Sequence, residues 1–192
     1  AFPESLPLGF VGLADDPSVP ALDLPSRLAA PSARRRFVTV EVPPRPTDDS
    51  PEAEMAGLAE FFRRITTIKT AGVDGIFLSP FAADGRGLLD REGNVTAAYC
   101  GGAAYSQALG GAVWDPRPFL SEEVVHRVFR APTRRVLACW HDGATLEEKA
   151  TLGEGAVVFD VAGARSVLPV ENGVQTIAVG PEPVLVVIRD LA

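Results

Sequence analysis

The order of apolar runs in the first half of the chain predicts a βαβ unit. Arg36-Phe-Val-Thr-Val-Glu41 is a short apolar run, and Gly75-Ile-Phe-Leu-Ser79 is a second one. Between them lie a proline-rich loop and a segment in which apolar residues recur every three or four positions, the spacing of one helix face. A strand, a helix and a strand in this order indicate a parallel sheet. The earlier run Leu8–Leu13 predicts a further buried strand, and Asp23–Ala30 a short helix that Pro31 ends.

The helix between the two apolar runs has both of its ends marked in the sequence. Ser50 is a good N-cap, Pro51 suits the first helical position, and the acidic residues that follow complement the helix dipole. Gly72 favours an end near Ala71. One apolar stripe is predicted along this helix, formed by Met55, Leu58, Phe61, Phe62, Ile65 and Ile68.

A loop and a second helix follow the second apolar run. Asp84–Asn94 contains two clusters of glycine and charged residues around a pair of leucines, which predicts a tight loop or a small hairpin. Thr96 is placed to cap a helix over Ala97–Leu109, and Gly110-Gly111 would terminate it.

Beyond Gly111 the pattern becomes short and β-rich, with turn signals between the runs. This is typical of an antiparallel sandwich, here of about seven strands. The predicted fold is therefore α/β followed by all-β, with an α/β segment over 1–112 and a β-sandwich module over 113–192. The β-rich runs are Val124–Arg130, Arg135–His141, Ala156–Val161, Val174–Val179 and Val184–Arg189.

Composition excludes several classes of partner and cofactor. The formal net charge of −7 argues against nucleic acid or an anionic membrane as the main partner, and no apolar run reaches the roughly 20 residues that a membrane-spanning helix needs. Cys100 and Cys139 are far apart, so they are expected to be buried free thiols. His126, predicted at the surface, and His141 have no carboxylate or thiol at ligand spacing, so neither a metal site nor a cofactor is predicted.

Glu41 is the main candidate for chemistry. Functional side chains of parallel sheets gather beyond the carboxyl ends of the strands, and Glu41 stands at that end of its strand. Side chains alternate along a strand, so Glu41 shares a face with Phe37 and Thr39. The alternative interpretation is a carboxylate that is solvated or paired with a nearby arginine.

Three further residues are candidates for contact with a substrate. Asp84 and Asp90 lie in the loop after the second apolar run and could bind hydroxyl groups, although Asx turns explain such residues more simply. Trp140 could stack on a sugar ring, although a tryptophan in a sandwich strand is more often part of the core.

The motifs resemble the C-terminal part of a clan A (β/α)8-barrel glycoside hydrolase with its trailing β-sandwich. Arg36-Phe-Val-Thr-Val-Glu41 resembles the seventh barrel strand, which in that clan ends in the nucleophilic glutamate. The next strand and loop are similar to the eighth strand and the region after it, where such enzymes commonly have G-L-[LV]-D…P-x-x-A-Y. The matching residues are Ile76-Phe-Leu-Ser79, Gly87-Leu-Leu-Asp90, Gly93-Asn94 and Thr96-Ala-Ala-Tyr99.

The second half of the chain resembles the accessory sandwich of the same proteins. Its strands commonly carry a tryptophan, a D-x-x-G turn and a final P-x-P-V. The matching residues here are Val136-Leu-Ala-Cys-Trp140, Phe159-Asp-Val-Ala-Gly163 and Gly180-Pro-Glu-Pro-Val184. The resemblance implies a partial (β/α)8-barrel segment plus a β-sandwich, a carbohydrate substrate, a retaining mechanism and Glu41 as the nucleophile.

One departure from the family pattern leaves the function open. Retaining hydrolysis needs a second carboxyl group about 5 Å from the nucleophile. In clan A this group is usually in an Asn-Glu pair at the fourth strand, and no such pair precedes Glu41. The chain is thus either the C-terminal portion of a larger barrel protein, inactive alone, or a non-catalytic module that braces a partner, binds carbohydrate or forms part of an oligomer.

Overall fold

The fold consists of three β-sheets and two helices in the part of the chain that the structure describes. The computed structural model describes residues 10–14, 35–42, 50–78, 87–90 and 92–189. The helices are α1 (Pro51–Thr70) and α2 (Ala97–Leu109). The strands are β1 (Phe10–Ala14), β2 (Arg35–Val40), β3 (Gly75–Leu78), β4 (Val113–Asp115), β5 (Val125–Ala131), β6 (Arg134–Trp140), β7 (Leu146–Ala150), β8 (Val157–Phe159), β9 (Arg165–Val167), β10 (Gln175–Val179) and β11 (Val184–Arg189).

The first three strands form a parallel sheet in the order β1-β2-β3. Val38 in the middle strand pairs with Leu13 on one side and Ile76 on the other. With α1 connecting β2 to β3, this is the predicted βαβ unit. The predicted strand at Leu8–Leu13 is observed as β1, while the predicted helix at Asp23–Ala30 lies outside the described residues.

Helix α1 begins and ends where the sequence predicts. The Ser50 side chain accepts a hydrogen bond from the backbone N–H of Ala53 at 3.3 Å, which caps the first turn. The apolar stripe packs against Val38 and Val40, both of which are buried on the same face of β2. In that stripe only Met55 is half-buried; Leu58, Phe61, Phe62, Ile65 and Ile68 are buried.

A six-stranded sheet, ordered β4-β5-β6-β11-β8-β9, has a different layer on each face. Phe129, Val136 and Ala138 join the core formed with the two helices. The alternate residues Leu137 and Cys139 face a second core, which the two-stranded antiparallel ribbon of β7 and β10 closes. The β-rich part therefore has two unequal β layers, with both helices packed against the outer face of the larger one.

The β-rich part has eight strands among the described residues, where about seven were predicted. The sequence pattern missed β4, β7 and β9, because two of them have only three residues and β7 is largely charged. A single core joins residues from α1, α2, the parallel sheet and the six-stranded sheet. The division into 1–112 and 113–192 stays a prediction.

Two expectations about single residues were wrong. Cys139 is a buried free thiol as predicted, but Cys100 is exposed, because it lies on the outer side of the first turn of α2. His126 is half-buried rather than at the surface. Its Nε2 accepts a hydrogen bond from the Phe119 N–H at 3.0 Å, and its Nδ1 lies 3.0 Å from the Val124 carbonyl, to which it donates.

Neither helix in the described ranges is long and apolar enough to cross a membrane.

Candidate functional site

Glu41 directly follows the middle strand of the parallel sheet, at the carboxyl end. Val38 and Val40 point into the core with α1, so Thr39 and Glu41 point to the opposite side, where both are exposed. The alternation predicted from the sequence is confirmed. Glu41 thus stands on the face of the sheet that the helices leave uncovered, at the end where parallel sheets carry functional side chains.

The uncovered face beneath Glu41 is apolar and aromatic. The rings of Phe37 and Phe77 lie 5.6 Å apart between centroids, at an interplanar angle of 39°. Phe37 covers Gly75 so closely that a Cβ on that glycine would lie 2.7 Å from the phenylalanine ring. Phe77 is 57% exposed. We call the surface formed by Phe37, Thr39, Glu41 and Phe77 the open sheet face.

The Glu41 carboxylate makes no hydrogen bond or ion pair with any other residue that the structure describes. The exposed Glu41 carboxylate is therefore accessible to a molecule that approaches the open sheet face. The segments 43–49 and 79–86, which follow β2 and β3, lie outside the described residues. Asp84 is among them, so its predicted substrate contact stays a prediction.

Asp90 closes a small hairpin loop. Leu89 and Val95 form an isolated antiparallel bridge. One oxygen of Asp90 accepts hydrogen bonds from the backbone N–H groups of Glu92 and Asn94 at 3.0 and 2.7 Å, and the other accepts one from the Asn94 side chain at 2.9 Å. These bonds, those from Asn94 first, lower the pKa of Asp90. They explain Asp90 as an Asx turn, and its contact with substrate stays a prediction.

Trp140 lies at the junction between β6 and α1. It is only 7% exposed, and the guanidinium of Arg63 lies 6.0 Å from its ring centroid. Arg63 also forms an ion pair with Asp142 at 3.0 Å and donates a hydrogen bond to the Pro181 carbonyl. The contacts give Trp140 a packing role between the helix and the six-stranded sheet; its predicted stacking on a sugar stays a prediction.

The structure does not join the predicted site residues directly. No hydrogen bond, ion pair or ring contact connects Glu41, Asp90 and Trp140 with one another. Sequence reasoning missed Arg63, which joins α1 to two turns of the β-rich part; its place beside the apolar stripe was the only sequence signal. Within the described ranges, no group of three or more His, Cys, Asp or Glu could hold a metal ion.

Comparison with solved structures shows what the fold of the chain is similar to. A GH30 endoxylanase from Clostridium papyrosolvens C71 superposes with a TM-score of 0.65 at 13% sequence identity, over 94% of this chain and 49% of that chain. The chain has a glycoside-hydrolase-like fold. A family 30 subfamily 8 xylanase from Clostridium acetobutylicum has a TM-score of 0.58 at 11% identity, over 85% of this chain and 51% of that chain.

A family 39 glycoside hydrolase from Bacteroides cellulosilyticus WH2 has a TM-score of 0.56 at 14% identity, over 86% of this chain and 37% of that chain. At these identities the similarity shows the fold alone. The chain spans about half the length of these solved structures or less. No family model matches the sequence. No curated protein matches it either.

Proposed function

We propose that the chain is the C-terminal portion of a glycoside-hydrolase-like protein that acts on a glycoside or polysaccharide by a retaining mechanism. The observation that carries the proposal is the exposed carboxylate of Glu41 at the carboxyl end of the middle parallel strand, in a fold similar to that of xylanases. Because the chain spans about half the length of those structures, the rest of the catalytic domain would come from further polypeptide.

In this proposal Glu41 is the nucleophile. Its carboxylate attacks the anomeric carbon and forms a covalent glycosyl-enzyme, while a second carboxylic acid donates its proton to the departing glycosidic oxygen. That second group then removes a proton from the water that hydrolyses the intermediate. This second carboxyl group must lie about 5 Å from the Glu41 carboxylate, above the open sheet face. Asp84, Asp90 and Trp140 are the proposed substrate contacts.

The test is mechanism-based labelling of the native-length protein. A 2-fluoro glycoside with a good leaving group traps the glycosyl-enzyme, and peptide mass spectrometry identifies the labelled residue. We expect the label on the peptide containing Glu41 and a loss of at least about a thousandfold in kcat for Glu41→Gln. Glu60→Gln, an exposed change on α1, is the matched control and should retain activity. Labelling elsewhere, or full activity of Glu41→Gln, rejects the proposal.

The alternative is a non-catalytic module that braces a partner in an assembly. The exposure of Phe77 favours it, because an aromatic sheet face of this kind is normally covered in a folded protein. Light scattering of the 192-residue chain tests whether the open sheet face mediates self-assembly. A stable dimer or larger oligomer that Phe77→Ser converts to monomers supports assembly through the open sheet face. A well-dispersed monomer with both sequences rejects self-assembly.

A further inference from the structure

A cavity of about 350 Å³ lies between α1, β3 and α2. Its floor is the face of β3 opposite Phe77, because Ile76 and Leu78 alternate with that residue along the strand. Ile65 on α1 and Leu109 on α2 form its side walls. These side chains offer a ligand hydrocarbon contacts, and the volume is within the range of about 300–1,000 Å³ that small-molecule sites occupy.

The rim of this cavity is polar and open to solvent. Asp74 and Ser106 line it and are exposed, as are Gly110 and Gly111 just beyond the end of α2. Lys69 also lines the cavity and is half-buried, one turn after Ile65 on the same helix. The cavity therefore has an apolar interior and a polar entrance, an arrangement that suits a ligand with a hydrocarbon body and one polar head group.

The two ionisable groups of the cavity differ in burial, and this favours an anionic head group. Burial lowers the pKa of Lys69, because the half-buried ammonium has lost part of its hydration, and the Asp74 carboxylate opposes part of that shift. Asp74 is exposed, so water and salt screen its repulsion of an incoming anion, whereas the attraction by Lys69 is screened less. An anion beside Lys69 would also return to the ammonium some of the stabilisation that burial removes.

We propose that this cavity binds a monocarboxylic acid with a hydrocarbon body, whose carboxylate pairs with Lys69. The hydrocarbon lies between the apolar side chains of α1, β3 and α2. At about 30 Å³ for a group of the size of water, the cavity has room for roughly ten non-hydrogen atoms, which is the size of octanoate. The site lies on the helix side of β3, so it is separate from the open sheet face and independent of the proposed hydrolase function.

Titration of the 192-residue chain with sodium octanoate at neutral pH, followed by methyl NMR spectra, tests the proposal. We expect saturable shifts of the Ile65 and Ile76 methyl signals, with nuclear Overhauser effects between these methyl groups and the octanoate chain. Lys69→Met keeps the length of the side chain and removes its charge, so it should weaken binding at least about tenfold. Lys149→Met, an exposed change on β7, is the matched control and should bind as the parent does.

Octanamide separates recognition of the carboxylate from burial of the hydrocarbon, and it is measured on the unchanged chain. It has the same hydrocarbon body with a neutral head group, so it should bind at least about tenfold more weakly than octanoate. Equal affinities for the two molecules overturn the proposal, as does an octanoate affinity that Lys69→Met leaves unchanged. Shifts confined to the open sheet face, or no saturable shift at millimolar octanoate, overturn it as well, since the cavity would then not be the binding site.

Discussion

Gly101 lies directly against the backbone carbonyl of Val161. A Cβ placed on Gly101 would be 2.0 Å from that oxygen and 2.7 Å from the ring of Phe62. On the opposite side of the contact, Gly163 has a φ of +81°, and a Cβ there would lie 2.6 Å from the Cys100 carbonyl. Helix α2 therefore packs backbone to backbone on the turn between β8 and β9.

Gly101→Ala should strongly destabilise the protein. The new methyl group would overlap a backbone oxygen, so α2 or the turn must move, and overpacking of this kind costs about 1–3 kcal/mol or more. We expect a loss of about 3 kcal/mol in the free energy of unfolding, near the upper end of that range because the clash is with a backbone atom, measured by urea denaturation followed by circular dichroism.

Gly102→Ala is the control for this prediction. Its new Cβ would meet only the flexible end of Leu78, at 3.1 Å, and alanine is favoured over glycine inside a helix by about 0.5–1 kcal/mol. The variant should be neutral or slightly stabilised. Equal losses in the two variants would show that general crowding around α2, and not the Val161 carbonyl, decides the effect.

The sequence predicts the turn against which Gly101 packs, but it does not predict the contact between that turn and α2. The motif Asp160-Val-Ala-Gly163 predicts a turn, and the Ala164 N–H donates to Asp160 Oδ1 at 2.8 Å as that chemistry requires. Local patterns such as this one, the Ser50 cap and the stripe on α1 depend on neighbouring residues. The contact of Gly101 with Val161 joins positions 60 residues apart, and no local pattern encodes it.

The same limit applies to the candidate site, where local patterns predict the position of a residue but not its contacts with distant parts of the chain. The position of Glu41 at a strand end follows from alternation along a short apolar run, and the structure places it there. The role of Arg63, which contacts Trp140, Asp142 and Pro181, depends on how the β-rich part docks on α1. Because that docking is tertiary, a single sequence predicts the helix that carries Arg63 but not the partners of its guanidinium.

The hydrogen bonds of Asp115 should make the free energy of unfolding decrease as the pH becomes acidic. The Asp115 side chain is 10% exposed and accepts hydrogen bonds from the Arg117 Nε at 2.8 Å, the Arg117 Nη2 at 2.6 Å and the Arg117 backbone N–H at 3.3 Å, and another from Arg130. These bonds, those from Arg117 first, hold the pKa of Asp115 well below its usual range. A depressed pKa adds stability above the unfolded-state pKa of about 4, and that stability is lost as the pH falls below it.

Asp115→Asn tests this relation. The variant should be less stable than the parent protein at pH 7, and its free energy of unfolding should fall less steeply below about pH 4. Chemical denaturation at a series of pH values gives both curves, and the exposed change Glu182→Gln serves as the control. If Asp115→Asn keeps the steepness of the parent, other carboxylates dominate the acid dependence.

Arg134 caps the C-terminal end of α2 from β6. Its Nε donates to the Ala108 carbonyl at 3.0 Å, and its Nη2 donates to those of Gln107 and Gly110 at 3.1 and 2.8 Å. The last turn of α2 has no basic residue of its own. Arg134→Ala should therefore cost about 1–2 kcal/mol in unfolding free energy, since it leaves helix carbonyls without a cationic donor.

The planar fork of arginine reaches three carbonyls that one ammonium group cannot serve together, so Arg134→Lys should recover only part of the loss. Arg165→Ala, an exposed change on the edge strand β9, should stay within about 0.5 kcal/mol of the parent. Thermal and urea unfolding measure all three. Full recovery with lysine would show that charge near the helix end, and not the hydrogen-bond geometry, stabilises α2.

Ser50→Ala should weaken the start of α1. The Ser50 Oγ accepts from the Ala53 N–H at 3.3 Å and donates to the Glu52 carboxylate at 2.9 Å, so alanine leaves the first turn without its cap. The expected cost is about 1 kcal/mol. Ser50→Asp keeps an acceptor at the same position and should restore most of the stability, although its charge lies close to Glu52. Urea denaturation compares the three proteins, and equal losses for alanine and aspartate would mean that the cap contributes little.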